Sequence, residues 1–321
     1  MDDVEPHRHH YRLAGISITS DFALPEAAAS DGSRGVGPED TLVVLDGRRH
    51  DRPRPADGNA RTADAQRARF DVPGIGRFLV ESGRRVVVWP ETDVSPEALS
   101  QQIGGPAFAL ALMQRGMLVL HGAVVVVDGR AVILLGHTGD GKSTTAAACA
   151  ARGHHVASDD LAIVEAGPTG FTVRAVSSLV RMTDPSTVPD AAGVAWRAAD
   201  KDVRVFPDAP RQQRVPIGGL AGLHWTDVLD VRAVAPVEAA LLLLEHAFCR
   251  PAFGQPQAAA ALDQSSALAS SCPVWRFGRP RRLDALPEVV DSVERAARRR
   301  DITAGVEYPS SRDRARRCGF S

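Results

Sequence analysis

The stretch AVILLGHTGDGKSTT (131–145) decides how the rest of the chain is read. Ala131–Leu135 is a short apolar run, rich in β-formers and bounded by glycine, the pattern of a buried strand. Gly136, Gly141, Lys142 and Ser143 follow at the spacing G-x-x-x-x-G-K-S, and Thr144–Arg152 has the composition of a helix. Glycines let the backbone turn tightly and aim its N–H groups at phosphate oxygens. The helix behind them adds partial positive charge at its N-terminus. Lys142 supplies a mobile full charge for β- and γ-phosphates, and Ser143 a hydroxyl able to ligate Mg²⁺. Chance alone produces such a match in about one chain in a hundred of this length, and the strand-before, helix-after context makes it rarer. The stretch therefore reads as a phosphate loop. Gly136, His137, Thr138, Gly139, Asp140, Gly141, Lys142, Ser143 and Thr144 form the nucleotide-binding set, with His137 and Asp140 contributing backbone.

Working outward, MLVLHGAVVVV (117–127) reads as a strand carrying one conspicuous residue, His121, and Asp128-Gly129 makes a two-residue turn into the loop strand. Strands joined that way are antiparallel, unlike the parallel βαβ sheet of ordinary P-loop nucleotide hydrolases. Upstream, Ser95 caps a helix with Pro96 at its first position, continuing through Ile103–Met113 and ending at Gln114-Arg115-Gly116. Before it lies β-rich text. YRLAGISITS and TLVVLDG read as single strands, Arg69–Val72 and Gly76–Val80 as a hairpin, and Arg84–Trp89 as a further strand. Residues 48–66, charged and broken by Pro and Gly, read as a mobile loop.

Downstream, Gly153 caps the helix, and HHVASDDLAIVE reads as strand, loop and strand, with Asp159-Asp160 between. FTVRAVSSLVRM reads as a strand pair, 183–213 as turn-rich, Val237–Glu245 as a buried strand and 250–271 as a loop with a small helix. VWRFGRPR is a last strand and Leu283–Arg299 an amphipathic closing helix. The expected organisation is a disordered tail (1–10), a β-rich subdomain (11–94), a catalytic domain (95–299) and a second disordered tail (300–321).

Composition limits the function classes. The 321 residues carry 44% hydrophobic and 24% charged residues with a net charge of −1. That is ordinary for a globular protein, and no global field steers it to nucleic acid or anionic lipid. The cysteines (Cys149, Cys249, Cys272, Cys318) show neither zinc spacing nor a disulfide framework. With no apolar leader and no membrane-length run, the expected location is the cytoplasm, with neither nucleic acid nor membrane as partner.

His121, the loop and Asp159-Asp160 are expected on three neighbouring segments of one sheet. Phosphoryl transfer needs charge neutralisation, a metal and a group that positions the acceptor. Ser143 and one of the aspartates would hold Mg²⁺. The other aspartate would take a proton from a hydroxyl, with His121 orienting it. Arg174 and Arg181 are further phosphate contacts in principle, although exposed strand arginines are the commoner case.

The run LHGAVVVVDGRAVILLGHTGDGKSTTAAACAARGHHVASDD (120–160) resembles the core of the HPr serine kinase/phosphorylase family, whose nucleotide domain is related to phosphoenolpyruvate carboxykinase. The shared pattern is a His-Gly strand, a short turn, the P-loop, a helix ending R-G-H and an Asp-Asp pair. YRLAGISITSDFALPE and VWRFGRPRRLDALPEVV are similar to HPr-kinase-like proteins found with lasso-peptide maturation systems. The resemblance implies an α/β (α+β) nucleotide domain with a mixed sheet, plus a β-rich N-terminal part. It implies transfer of the γ-phosphoryl of ATP to a serine hydroxyl of a peptide or small protein. In that reading His121 and Asp159 form the acid/base unit with Lys142 at the phosphates, and Ser143 and Asp160 sit at the metal. A homo-oligomer is a candidate assembly. The family's later L-E-I-R-G segment has no counterpart, since 176–182 reads VSSLVRM. That feature keeps open a regulatory module that binds nucleotide without transferring it; a kinase of free serine is the other alternative.

Overall fold

The computed structural model describes residues 8–25, 27–29, 41–50, 52–54, 62–63, 66–176, 179–182, 194–198, 201–205, 214–248 and 255–298. The fold is mixed α/β, with strands of both orientations in its sheets.

The N-terminal part forms an eight-stranded sheet. Its strands are β1 (His9–Leu13), β2 (Ile16–Ser20), β3 (Ala28–Ala29), β4 (Thr41–Asp46), β5 (Thr62–Ala63), β6 (Arg67–Val72), β7 (Gly76–Glu81) and β8 (Arg85–Pro90). Their order is β3-β1-β2-β4-β8-β7-β6-β5, parallel at β2–β4 and β4–β8 and antiparallel elsewhere. The expected single strand over 11–20 is a hairpin instead, and it begins at His9, inside the tail expected to be loose. Its turn, Ala14-Gly15, has φ of 50° and 80°, the type I′ geometry that matches strand twist. Alanine seldom adopts positive φ, so the sequence hides this turn.

Helix α1 (Pro96–Gln102) starts as expected, with Ser95 Oγ accepting from the Ala98 N–H at 3.2 Å. The helix expected to run on to Met113 is interrupted by a π-helical segment, Ile103–Ala107, before α2 (Phe108–Gln114). Pro106 supplies no N–H, and the Phe108 N–H reaches back five residues to Ile103 O. Leu99, Ile103, Phe108 and Leu112 bury against Ile16, Ile18, Phe78 and Val80 of the first sheet.

The remaining chain contributes β9 (Leu118–Val127), β10 (Arg130–Leu135), α3 (Lys142–Ala151), β11 (His155–Ser158), β12 (Leu161–Gly167) and β13 (Gly170–Arg174). Strands β14 (Leu179–Met182), β15 (Val194–Ala198) and β16 (Lys201–Val205) form a separate sheet in the order β14-β16-β15. Then come β17 (Arg214–Trp225), β18 (Asp230–Ala233), α4 (Pro236–Glu245), α5 (Gln255–Ser271), β19 (Val274–Arg279), a 3₁₀ turn (Leu283–Ala285) and α6 (Leu286–Ala297). The long strands β9 and β17 organise the second eight-stranded sheet. Their N-terminal halves pair with β12 and β13, and their C-terminal halves with β10, β11 and β19. Leu120, Val124, Ile133, Ile217 and Leu243 belong to one buried core cluster, which joins strands from both halves to α4. On the other face of β10, Val132 and Leu134 pack with Ala146 and Cys149 of α3 and Val290 and Val293 of α6. Burial pushes the Cys149 thiol up to about 12, so it is an inert core group.

Four expectations after the phosphate-loop motif need correction, the first being 183–213, read as turn-rich, which holds strands β15 and β16. Val237–Glu245 is helical: Pro236 occupies the first turn with Glu238, and Ala and Leu favour helix. Val237 and Leu241, one turn apart, are exposed, while Ala239, Ala240, Leu242 and Leu243 are buried. A short apolar run does not by itself separate buried strand from helix. The small helix of 250–271 spans Gln255–Ser271. Strand β17 has no counterpart in the sequence reading, because its Gly218-Gly219 and Gly222 interrupt the strand pattern. The side chain of Arg181 and all of the tail 300–321 lie outside the described residues. Among the described residues no helix is long and apolar enough to cross a membrane.

Candidate functional site

Strand β9 holds the site together through its register. Val127 to Gly122 pair antiparallel with Arg130 to Leu135 of β10, as the Asp128-Gly129 turn requires. The glycine-rich loop therefore leaves β10 beside the His121-Gly122 step. On the opposite edge of β9, β11 ends with Ser158 paired to Val124, and β12 begins with Leu161 paired to His121. Asp159 and Asp160 fill the irregularity between them, and the Gly122 N–H donates to Asp160 O at 3.2 Å. His121, the loop and the aspartate pair are thus neighbours on one sheet, the arrangement expected from sequence. Gly122 is required by the close approach: a Cβ there would lie 2.8 Å from Leu134 O.

The loop is internally braced. Gly141, at φ 84°, caps α3 in the left-handed conformation, where a side chain would also strike Arg279. Lys142 is buried, and its Nζ donates to Gly136 O at 2.8 Å and His137 O at 3.1 Å. The Asp140 carboxylate accepts from the His137 N–H at 2.6 Å, so Asp140 closes the loop with its side chain as well as its backbone. His137, Thr138 and Gly139 form the exposed tip, and Ser143 and Thr144 are half-buried in the first turn of α3.

On the other side of β9, Asp159 is buried, while Asp160 and His121 are half-buried. Burial and the nearby Lys142 charge lower the His121 pKa. The Asp160 charge and a backbone hydrogen bond at Asp160 oppose this without reversing it. His121 is therefore mainly neutral near pH 7 and able to accept a proton.

Several site residues escaped the sequence reading. The segment after α4 lies along β9, where His246 O accepts the His121 N–H at 2.8 Å and the Phe248 ring meets His121 edge-on. The buried His246 ring lies 5.1 Å from that of His137, and burial holds its pKa at about 4. Glu245 accepts from His137 Nε2 at 3.0 Å. Reading 237–245 as a strand concealed these groups. Arg279, at the end of β19, is 1% exposed. Its Nη1 donates to Thr145 Oγ1 at 2.6 Å and Gly141 O at 3.1 Å, and its guanidinium stacks on Trp225 at 4.7 Å. No local sequence signal marked Arg279: the parallel β10–β17–β19 order, which brings three strand C-termini to the edge where α/β sheets bind ligands, exists only in the fold. Arg174 has a different role from phosphate contact. It pairs with Glu165 at 2.5 Å and donates to Ala14 O at 2.8 Å, tying β13 to the β1–β2 turn.

A cavity of about 230 Å³ lies between the first sheet, the π-helical segment and β9, with His121, Asp159 and Asp160 in its lining. Among the described residues no group of three or more His, Cys, Asp or Glu forms a metal cage.

No protein-family model matches the sequence, and no curated protein matches it. Among solved structures, an HPr(Ser) kinase/phosphatase from Coxiella burnetii aligns over 55% of this chain and 95% of that one. Sequence identity is 13% and the TM-score 0.29. A likeness of that size leaves the functional reading to the site's own geometry.

Proposed function

We propose that this protein is an ATP-dependent serine kinase acting on a peptide or small protein, with lasso-peptide precursors among the candidate acceptors. The observation that carries the reading is the β9 register, which sets a glycine-rich loop and an aspartate pair on opposite edges of one histidine-bearing strand. An ordinary glycine turn has no need of such a juxtaposition.

In this reading Lys142 and the loop amides neutralise phosphate charge, and Asp159 accepts the proton of the serine hydroxyl. The serine oxygen bonds to the γ-phosphorus as the bond to the β–γ bridging oxygen breaks, so ADP leaves with that electron pair. His121, neutral through burial, orients Asp159 and shares its proton. The donors available for Mg²⁺ fit a hard cation: the Ser143 hydroxyl and the Asp160 carboxylate are oxygen ligands, and a nucleotide-bound Mg²⁺ needs few protein ligands. Bound there, the ion would offset charge on the phosphates. The proposed setting is the cytoplasm, without nucleic acid or membrane partners, and a homo-oligomer is part of the proposal only as a candidate assembly.

Transfer from labelled ATP to HPr, free serine and serine-containing peptides tests the reading. Lys142→Ala and Asp159→Ala should each abolish labelling, with ATP binding retained in the second; full activity in either variant overturns it. The absence of an acidic residue in 176–182 favours a second reading, a nucleotide-binding regulatory module. It would bind ATP and label nothing.

A further inference from the structure

The cavity beside the aspartate pair has a lining that selects what can enter it. One wall is Leu13, Ile18 and Leu24 of the N-terminal sheet region, and Phe248 adds an aromatic face near His121. A second wall is the π-helical segment at Gly104-Gly105-Pro106, a helix irregularity of the kind frequent at functional sites. A Cβ on Gly104 would sit 3.9 Å from Leu13 Cδ2, whereas one on Gly105 would meet nothing within 4 Å. The Gly105 position therefore faces open space. Two glycines and a proline lower helix stability here, and the open volume they leave fronts the catalytic pair.

The charges in the lining come from Asp159 and Asp160; among the described residues no lysine or arginine lines the cavity. With Asp160 on the metal, Asp159 remains as the facing carboxylate, and no lysine or arginine of the lining would pair with a free amino acid's carboxylate. At about 230 Å³ the cavity is smaller than the roughly 300–1,000 Å³ that hold whole drug-sized ligands, and its apolar wall is Leu13, Ile18, Leu24 and Phe248. It suits one apolar side chain.

Resting on the kinase reading above, we propose that this cavity binds the bulky apolar side chain next to the acceptor serine within a peptide chain. The protein then selects serine flanked by Leu, Ile or Phe and rejects both free serine and acidic flanks. The N-terminal sheet thereby acts as the specificity element of the site.

The test uses the full chain with a non-hydrolysable ATP analogue and fluorescein-labelled pentapeptides, acetylated and amidated, whose central serine is flanked by Leu, Gly or Asp. Fluorescence anisotropy should show the Leu peptide binding roughly tenfold to a hundredfold more tightly than the Gly peptide, from burial of one apolar side chain, with the Asp peptide weakest. Gly105→Leu should fill the cavity and remove that preference while leaving analogue affinity unchanged. Affinities within about twofold of one another, no binding of any peptide, or an intact preference in folded Gly105→Leu would overturn the proposal. Phosphoryl transfer from ATP to the same peptides is scored separately. Binding preference without transfer refutes the kinase reading and leaves the cavity's selectivity standing; transfer without preference does the reverse.

Discussion

Arg279→Met offers a sharp test of how the loop is built. The guanidinium is almost wholly buried, its Nε has no hydrogen-bond partner, and burial lowers its pKa. Among the described residues no carboxylate pairs with it. Its two hydrogen bonds, to Thr145 Oγ1 and Gly141 O, contribute about 1.5–3 kcal/mol each as charge-assisted bonds. Against this stands an effective desolvation cost of several kcal/mol for a buried ion. Methionine keeps much of the apolar stem beside Trp225 and removes the charge. The two effects nearly cancel, so the nucleotide-free melting temperature should shift by no more than about 3 °C. Nucleotide binding should change much more. At an effective dielectric of about 20, a unit charge held behind the loop contributes on the order of 2 kcal/mol to phosphate binding, or roughly thirtyfold in affinity. Calorimetry with ATP and with adenosine separates the charge effect from base contacts: ATP should weaken about thirtyfold and adenosine hardly at all. A large loss of stability with unchanged ATP affinity would refute this reasoning and make Arg279 a purely structural brace.

Other consequences follow from individual contacts. Gly122→Ala forces a Cβ to within 2.8 Å of Leu134 O; it should destabilise by about 1–3 kcal/mol in denaturant melts and lower phosphoryl transfer by displacing His121. His246 is buried with a pKa of about 4, below the ordinary 6.5. Its contribution to stability is complete above pH 6.5 and is lost as pH falls through about 4, on the order of 3 kcal/mol. Equilibrium unfolding at pH 7 and pH 4 should show a smaller acid loss in His246→Phe; an unchanged loss assigns the effect elsewhere. Arg174→Ala removes the pairing with Glu165 and the bond to Ala14 O; it should cost about 1–3 kcal/mol and increase hydrogen exchange at the β1–β2 turn. No change in exchange there would show that this contact does not couple the two sheets.

The phosphate-loop motif, its flanking strand and helix, and the Asp128-Gly129 hairpin are legible in sequence because each is local. Glycine spacing, turn chemistry and apolar runs within ten residues specify them. Placing His121 beside Asp159-Asp160 was also within reach, since short turns leave few ways to pair neighbouring strands. Distance in sequence hid the rest. The Ala14-Gly15 turn adopts positive φ at an alanine, which propensity disfavours. The run AALLLL satisfies either a strand or a helix until α5 packs on it. Arg279 reaches Gly141 across 138 positions, and Leu13 reaches Gly104 only once the hairpin folds over the π-helical segment. The sequence by itself determined the loop's residue types, their spacing and the strand and helix that flank it, because these reside in contiguous residues. Tertiary structure alone decided which cation braces the loop and which apolar walls front the aspartates, because packing of remote segments creates both.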